Sequence, residues 1–378
     1  RRAAQIAPSA DVSTQDRAEA LLYTALAGAT SEASPDAIAQ LRDAVVQGRS
    51  AGPSVALVDG LARLGYMTVT SSDHAEAEGI GMIDEAIAVA RATGDHEAIS
   101  GALRDRAGPY WWHGDLEAMR HQLEKALAYS REHDVRATPV EIVASLAANA
   151  AVQGDWTRAR AVWDEFERLV ASSGSLLDRR RGLQGNARIA LNEDRPRDAE
   201  RIAREGIELS QQIGDREVIG RAYEMLADAL DAQGDAAAAR DALLETLRWY
   251  DPRTMRGALP EAQWRLSHAY LELGDVAAAR EQAEAGRASV IASDAFSVAT
   301  TTAALARVRA AEGRGDEADA LFREALELIR RTGFRAATAE IERQNGEFLL
   351  DRRRVTEAHA VLTLALTRVT DPLAVAPR

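Results

Sequence analysis

The sequence predicts an all-α fold, a right-handed superhelical solenoid of antiparallel helix hairpins with no β-sheet. Three observations predict it. A Gly-Asp phrase returns about every 40 residues, at Gly114-Asp115, Gly154-Asp155, Gly234-Asp235 and Gly274-Asp275. Asp194-Arg195, Gly313-Arg314 and Arg353-Arg354 keep the beat where the phrase itself changes. Apolar residues recur three and four apart on both sides of each beat, which is the spacing of one helical face. A fixed period of this size marks a stack of identical supersecondary units.

The unit from Arg221 to Pro252 justifies the assignment. Tyr223, Leu226, Ala227 and Leu230 form the apolar face of a first helix. Gly234 accepts the left-handed position that ends it, and Asp235 can cap the next helix. Ala239, Leu243 and Leu247 then continue the spacing through a second helix that closes near Asp251-Pro252. One such hairpin cannot bury its apolar face alone, so it must stack. Upstream the beat extends to His74 and to Glu32. The count is seven hairpins between 54 and 369 and one more at 17–48. Gly48-Arg49-Ser50-Ala51-Gly52-Pro53 reads as the linker-like stretch within the array. The organisation expected is a helical lead-in and first hairpin over 1–53, the repeat array over 54–370, and a tail over 371–378.

Small residues mark where helices must approach closely. They fall in the first helices on Ala107, Ala147, Ala187, Ala227, Ser267, Ala306 and Gly346. In the second helices they fall on Ala159, Ala199, Ala239, Ala279, Ala318 and Ala358, with Met119 in the earlier unit. A large apolar residue follows at Leu123, Trp163, Leu243, Phe322 and Leu362, and Ala203 and Ala283 depart from that rule. The closing small position reads Ala126, Gly206, Gly286, Ala325 and Ala365. On these residues the chain resembles the tetratricopeptide repeat (TPR) family. It departs from the family in period, which is longer than the usual repeat, and in keeping the closing proline only as Pro252. Long units of this kind resemble the sensor regions of large bacterial signalling ATPases, including relatives of the maltose-regulon transcription activator and ATPase-linked nucleotide cyclases. That resemblance implies an effector module upstream, and Arg1-Arg2-Ala3-Ala4-Gln5-Ile6-Ala7-Pro8 looks like the end of a helix leading out of one.

Composition limits the chemistry. Hydrophobic content of 46% suffices for burial, while aromatics at 5% leave alanine and leucine to carry the apolar load. The chain has no cysteine, so disulfides, thiolate metal sites and a cysteine nucleophile are excluded. That fits a cytoplasmic protein, and no run of 18 apolar residues suggests a membrane span. The net charge of −13 opposes nucleic acid and anionic lipid as partners. Lys125 is the single lysine; the remaining fixed positive charge is arginine.

No catalytic residue, cofactor or metal is expected. No Gly-Lys of a phosphate-binding loop is present, and Gly79-Ile80-Gly81 and Gly313-Arg314-Gly315 lack the third glycine of a dinucleotide site. No two of the seven histidines lie four apart, and His96-Glu97 stands without a partner histidine. In TPR stacks the first helix of each hairpin lines the concave groove. Carried over by register, the resemblance implies Arg104, Trp111, Gln184, Arg188, Asn192, Arg221, Glu224, Asp228, Trp264, His268, Arg307 and Arg343 as groove residues. Amides and guanidinium groups on such a wall can hold a peptide's backbone and carboxylates, and the tryptophans can supply flat apolar contacts. Each has a structural alternative. Trp111 or the adjacent Trp112 can be interhelical packing, His268 a hydrogen-bonded filler, and Arg188 and Arg221 rungs of an ion-pair ladder with Asp228 or Glu224. Trp156 and Trp163 read as core.

The expected function is that of a non-catalytic sensor or scaffold module within a larger bacterial signalling or transcription regulator. Its partner would be a peptide, a protein segment or a small metabolite, not nucleic acid or membrane. An α/α-toroid enzyme is the second reading, disfavoured by the few aromatics and the regular repeat. A static scaffold is the third.

Overall fold

The computed structural model describes residues 13–29, 35–71, 76–171, 175–251, 255 and 257–370. Every regular element among them is a helix, and consecutive helices form hairpins. The first two pairs are α1 (Thr14–Gly28) with α2 (Pro35–Ala51), and α3 (Val55–Ser71) with α4 (Glu76–Thr93). Next come α5 (His96–Asp105) and α6 (Gly108–Trp112) with α7 (Leu116–Glu132), then α8 (Thr138–Val152) with α9 (Trp156–Val170). They are followed by α10 (Leu176–Asn192) with α11 (Pro196–Ile213), and α12 (Arg216–Asp231) with α13 (Ala236–Trp249). The last three pairs are α14 (Leu259–Glu272) with α15 (Val276–Ser289), α16 (Ala295–Ala311) with α17 (Gly315–Ile329), and α18 (Arg335–Asp351) with α19 (Val355–Thr370). The fold is a TPR-like helical repeat.

All seven turns expected from the sequence are present, and they share one backbone solution. Gly114, Gly154, Gly234, Gly274 and Gly313 have φ between 70° and 78°, and Asp194 and Arg353 have 57° and 59°. Glycine suits this left-handed conformation, which costs other L-residues about 1–2 kcal/mol. Asp155, Asp235 and Asp275 then cap the following helix, each accepting at 3.0 Å from the N–H three residues on. Arg195 stands at the same place without a side-chain cap, and there Pro196 opens the helix.

The structure departs from the sequence reading in three places. The hairpin α3–α4 adds one to the seven expected after residue 54; its turn, with His74, lies outside the described residues, as do Glu32, Pro252, the opening eight residues and the tail over 371–378. The stretch from Gly48 to Ala51 is the last turn of α2 and not a linker; Gly52, at φ 107°, ends it. Gly48 is needed for close approach, because a Cβ there would press on Leu22 and Leu57. Finally, the first helix of the third hairpin is broken between Asp105 and Gly108. Pro109 has no N–H to give the preceding turn, so the chain restarts as the short α6.

Burial follows the repeat. Ala107, Ala147, Ala187, Ala227, Ser267 and Ala306 are at most 4% exposed, and Ala159, Ala199, Ala239, Ala279, Ala318 and Ala358 at most 3%. Small residues there bring helix axes together. Ala203 and Ala283, which break the large-apolar rule, are buried too. Trp163 is core as expected, stacked on Phe166 at 4.5 Å and donating its Nε1–H to Asn186 at 3.1 Å; Trp156 is half-buried.

The described residues divide into two compact units, one reaching Trp112 and including Glu117–Ile142, the other comprising His113–Leu116 and the chain from Val143 onward. In the second unit α16 is buried on nearly every side, from Ser297 through Ala304 without a break. Its run Thr300-Thr301-Thr302 is accommodated because each hydroxyl donates to a carbonyl three or four residues back. In the first unit Lys125 is exposed on α7. Among the described residues no helix is long and apolar enough to cross a membrane.

Candidate ligand-binding face

In the second unit the helices α10, α12, α14, α16 and α18 are the first helices of successive hairpins. Their polar residues recur at helical spacing, so each helix carries a stripe. The α10 stripe is Arg180, Gln184, Arg188 and Asn192; that of α12 runs through Arg221, Glu224, Asp228 and Asp231; that of α14 through Glu261, Arg265, His268 and Glu272.

Adjacent stripes are tied by ion pairs. Arg221 bonds Glu261 on the next first helix and lies 3.2 Å from Glu224 on its own. Arg265 reaches back to Asp228 at 3.0 Å, packs over the Trp264 ring at 4.8 Å, and lies 3.8 Å from Glu261. His268 lies 3.5 Å from Asp231 and contacts Arg307, which itself pairs with Glu272 at 3.0 Å. Arg343 is held on its own helix by Glu340 at 2.6 Å and by Glu347. These half-buried pairs set the register of neighbouring first helices; their net contribution to stability is small, because desolvation offsets attraction.

Of the expected groove residues, Glu224 is the one placed inside the wall. It is 5% exposed and accepts from the Tyr250 hydroxyl at 3.0 Å. Burial pushes the Glu224 carboxyl above the usual carboxylate range, and burial beside Glu224 likewise raises the Tyr250 phenol. Gly220 makes room for that ring, since any Cβ there would overlap it. Burial opposes the charge of Arg221, but Glu261 and Glu224 outweigh it and raise its pKa. The His268 hydrogen bond lowers the Asp231 pKa.

Two groups on α10 are open. Arg188 and Asn192 are exposed, and neither has a hydrogen bond or ion pair among the described residues. Arg188 nevertheless stands among enough protein that burial lowers its pKa, against the pull of Asp228 and Glu261. Gln184 accepts from Arg180 at 2.9 Å through its carbonyl, which leaves its amide hydrogens to donate. The structure therefore does not pair Arg188 with Asp228, whose carboxylate is taken by Arg265.

A second opening lies between α14, α16 and α18. It is a narrow cleft with about 50 Å³ of room, floored by Leu271, Phe296 and Ile341 and edged by His268, Arg307 and Gln344. Trp264 and the fully buried Ser267 line it, and their Nε1 and Oγ atoms, both enclosed, have no hydrogen-bond partner among the described residues. Arg104 and Trp111 belong to the first unit: Arg104 pairs with Asp105 at 2.7 Å and with Glu141, and Trp111 is half-buried on α6. Among the described residues no group of three or more histidine or acidic side chains is placed to hold a metal ion.

Arg180, Glu261, Arg265 and Glu340 take part in this face but were missed from sequence. Their signal was spacing: Arg180 stands four before Gln184, Glu261 stands 40 after Arg221, and Arg265 stands four after Glu261.

No family model matches the sequence, and no curated protein does. Solved structures match the fold. A Rap protein complexed with competence and sporulation factor superposes with a TM-score of 0.69 at 11% identity, over 94% of this chain and 98% of that one. The Rap conjugation gene regulator of plasmid pLS20, in complex with the Phr* peptide, gives 0.62 at 12% identity, over 94% and 97%. A signal-transduction ATPase with a TPR sensor from Pyrococcus horikoshii gives 0.52 at 14% identity, over 97% of this chain and 55% of that chain. The chain thus shares the TPR-like fold of Rap regulators and of an ATPase sensor, with little sequence in common.

Proposed function

We propose that this chain is a regulatory module whose first-helix face in the second unit binds a peptide or an extended protein segment. The observation that carries the reading is the set of unpartnered donors on α10, Arg188, Asn192 and the Gln184 amide, in a wall otherwise occupied with its own ion pairs. Side-chain amides both donate and accept, so they can satisfy a peptide backbone whatever its sequence. The cleft at Trp264 and Ser267 adds a place for a small apolar side chain bearing one acceptor. The likeness to Rap proteins, one with its factor and one with a Phr* peptide, supports the same reading. In a longer protein the module would gate an effector, by analogy with the TPR sensor of the ATPase.

Peptides selected on the immobilised chain test it. Asn192→Ala should weaken the selected peptide by about 1–3 kcal/mol, the usual range for losing a buried polar partner, and leave the melting midpoint within a degree or two. Undiminished binding in Asn192→Ala and in Gln184→Ala would reject the face. The reading includes no catalytic step. Stringently purified protein should hydrolyse no nucleotide with or without added divalent metal, and metal-dependent turnover that co-purifies with the chain would contradict it.

A further inference from the structure

We propose that the α10 stripe of Arg180, Gln184, Arg188 and Asn192 is a subsite for a carboxylate of the ligand, so that the face selects acidic peptides. The inference rests on the peptide-binding reading and names the ligand chemistry at one end of the face.

Four observations lead to it. The stripe repeats every four residues along one helix and carries two guanidinium groups, two amides and no acid. Arg221, Arg265, Arg307 and Arg343 each have a carboxylate within 4 Å on their own or the next first helix, whereas Arg180 and Arg188 have none among the described residues. Arg180 Nε is fully enclosed with no acceptor. Arg180 and Arg221 also line one small cleft between α10, α11 and α12; Arg221 is paired there with Glu261 and Glu224, whereas Arg180 stands beside it without an anion of its own. A half-enclosed cation without a partner is costly. This chain has 59 acidic residues with which to place one there, and the stripe has none.

The electrostatics agree. Burial and the neighbouring Arg181 and Arg221 lower the Arg180 pKa to about 10, and burial lowers that of Arg188. An arriving anion would offset both effects, and guanidinium with amide donors matches the two oxygens of a carboxylate. Asp228 and Glu261 act on Arg188 from the neighbouring helices. Their negative charge makes a doubly charged phosphate the poorer fit and a singly charged carboxylate the better one.

The test uses the full chain in two arms. In the first, succinate is titrated against chloride at constant ionic strength and followed by calorimetry and by the melting midpoint. Saturable succinate binding is expected, weakened at least fivefold in Arg188→Gln and unchanged in Arg331→Gln, an exposed arginine outside the face that pairs with Glu327. Arg188 is exposed, so its variant should fold; circular dichroism checks that, and Arg188→Lys should restore part of the affinity. Binding equal in wild type and Arg188→Gln overturns the subsite, and inorganic phosphate binding tighter than succinate overturns the carboxylate assignment. In the second arm a pool of random nine-residue peptides is passed over wild type and Arg188→Gln, and the retained peptides are sequenced. Enrichment of Asp and Glu on wild type alone is expected. Retention without acidic enrichment overturns the subsite and leaves the peptide reading standing. Arg188-dependent succinate binding with no peptide retained overturns the peptide reading and leaves the subsite.

Discussion

Ala227 and Asp294 show how single side chains report on the fold. Ala227 is 2% exposed at the close approach within the α12–α13 hairpin, among Leu226, Leu230 and Leu243. Ala227→Leu should destabilise by about 1–3 kcal/mol through overpacking; an unchanged denaturation midpoint would mean that the register is wrong. Asp294 caps α16, accepting from the Ser297 N–H at 3.1 Å, and is 5% exposed. Burial pushes its pKa up from 3.8 to about 6, partly opposed by the Ser297 hydrogen bonds. Between those values the folded chain holds a proton that the unfolded chain has released. The contribution of Asp294 therefore falls as pH rises from about 4 to about 6, the reverse of a salt-bridged carboxylate. Asp294→Asn keeps a capping oxygen and should stabilise at pH 7 by on the order of 1–3 kcal/mol, with the advantage vanishing near pH 4. Urea midpoints across that range measure it, and a variant less stable than wild type at pH 7 would refute the assignment. Site legibility also belongs to this scale. Register alone located Arg188, Asn192, Arg221 and Asp228 on first helices, because a helical period is explicit in the sequence. It could not tell which charges neutralise each other: Asp228 meets Arg265 and not Arg188, a choice made by the offset between α12 and α14.

The turns were the most legible elements, since a left-handed residue every 40 positions leaves a glycine behind. Asp194 and Arg353 take the same conformation without that residue type and were found by the beat alone. Arg353→Gly should accordingly stabilise and Gly234→Ala destabilise, the latter by about 1 kcal/mol; equilibrium urea unfolding of both separates this from a general effect of mutation. The break between α5 and α6 is a local event at Pro109, on a scale finer than the 40-residue beat. Gly48 misled in the opposite direction: composition suggested a linker, whereas the glycine serves packing inside a helix. At Gly48 the neighbours Leu22 and Leu57 decided the outcome, and a single sequence does not display them.

Across the whole molecule, stability should be distributed by position in the array, since each hairpin leans on its neighbours. The helix α16 is enclosed almost completely, while α19 leaves Val355, Leu366 and Val369 at least 62% exposed. Hydrogen exchange should therefore be slowest in α16 and approach that of frayed segments in α19. Equal protection of the two would show that the chain unfolds as one block.

The near-absence of lysine has a practical and a regulatory consequence. Lys125 lies exposed on α7, and every cation of the α10 stripe is a guanidinium. Acylating reagents, and acetylating enzymes acting on side-chain amines, therefore cannot neutralise Arg180 or Arg188. In this sequence they have one side-chain amine to modify, that of Lys125. A fluorophore on Lys125 can be attached without altering those donors, and the charge of the stripe lies beyond the reach of acetylation.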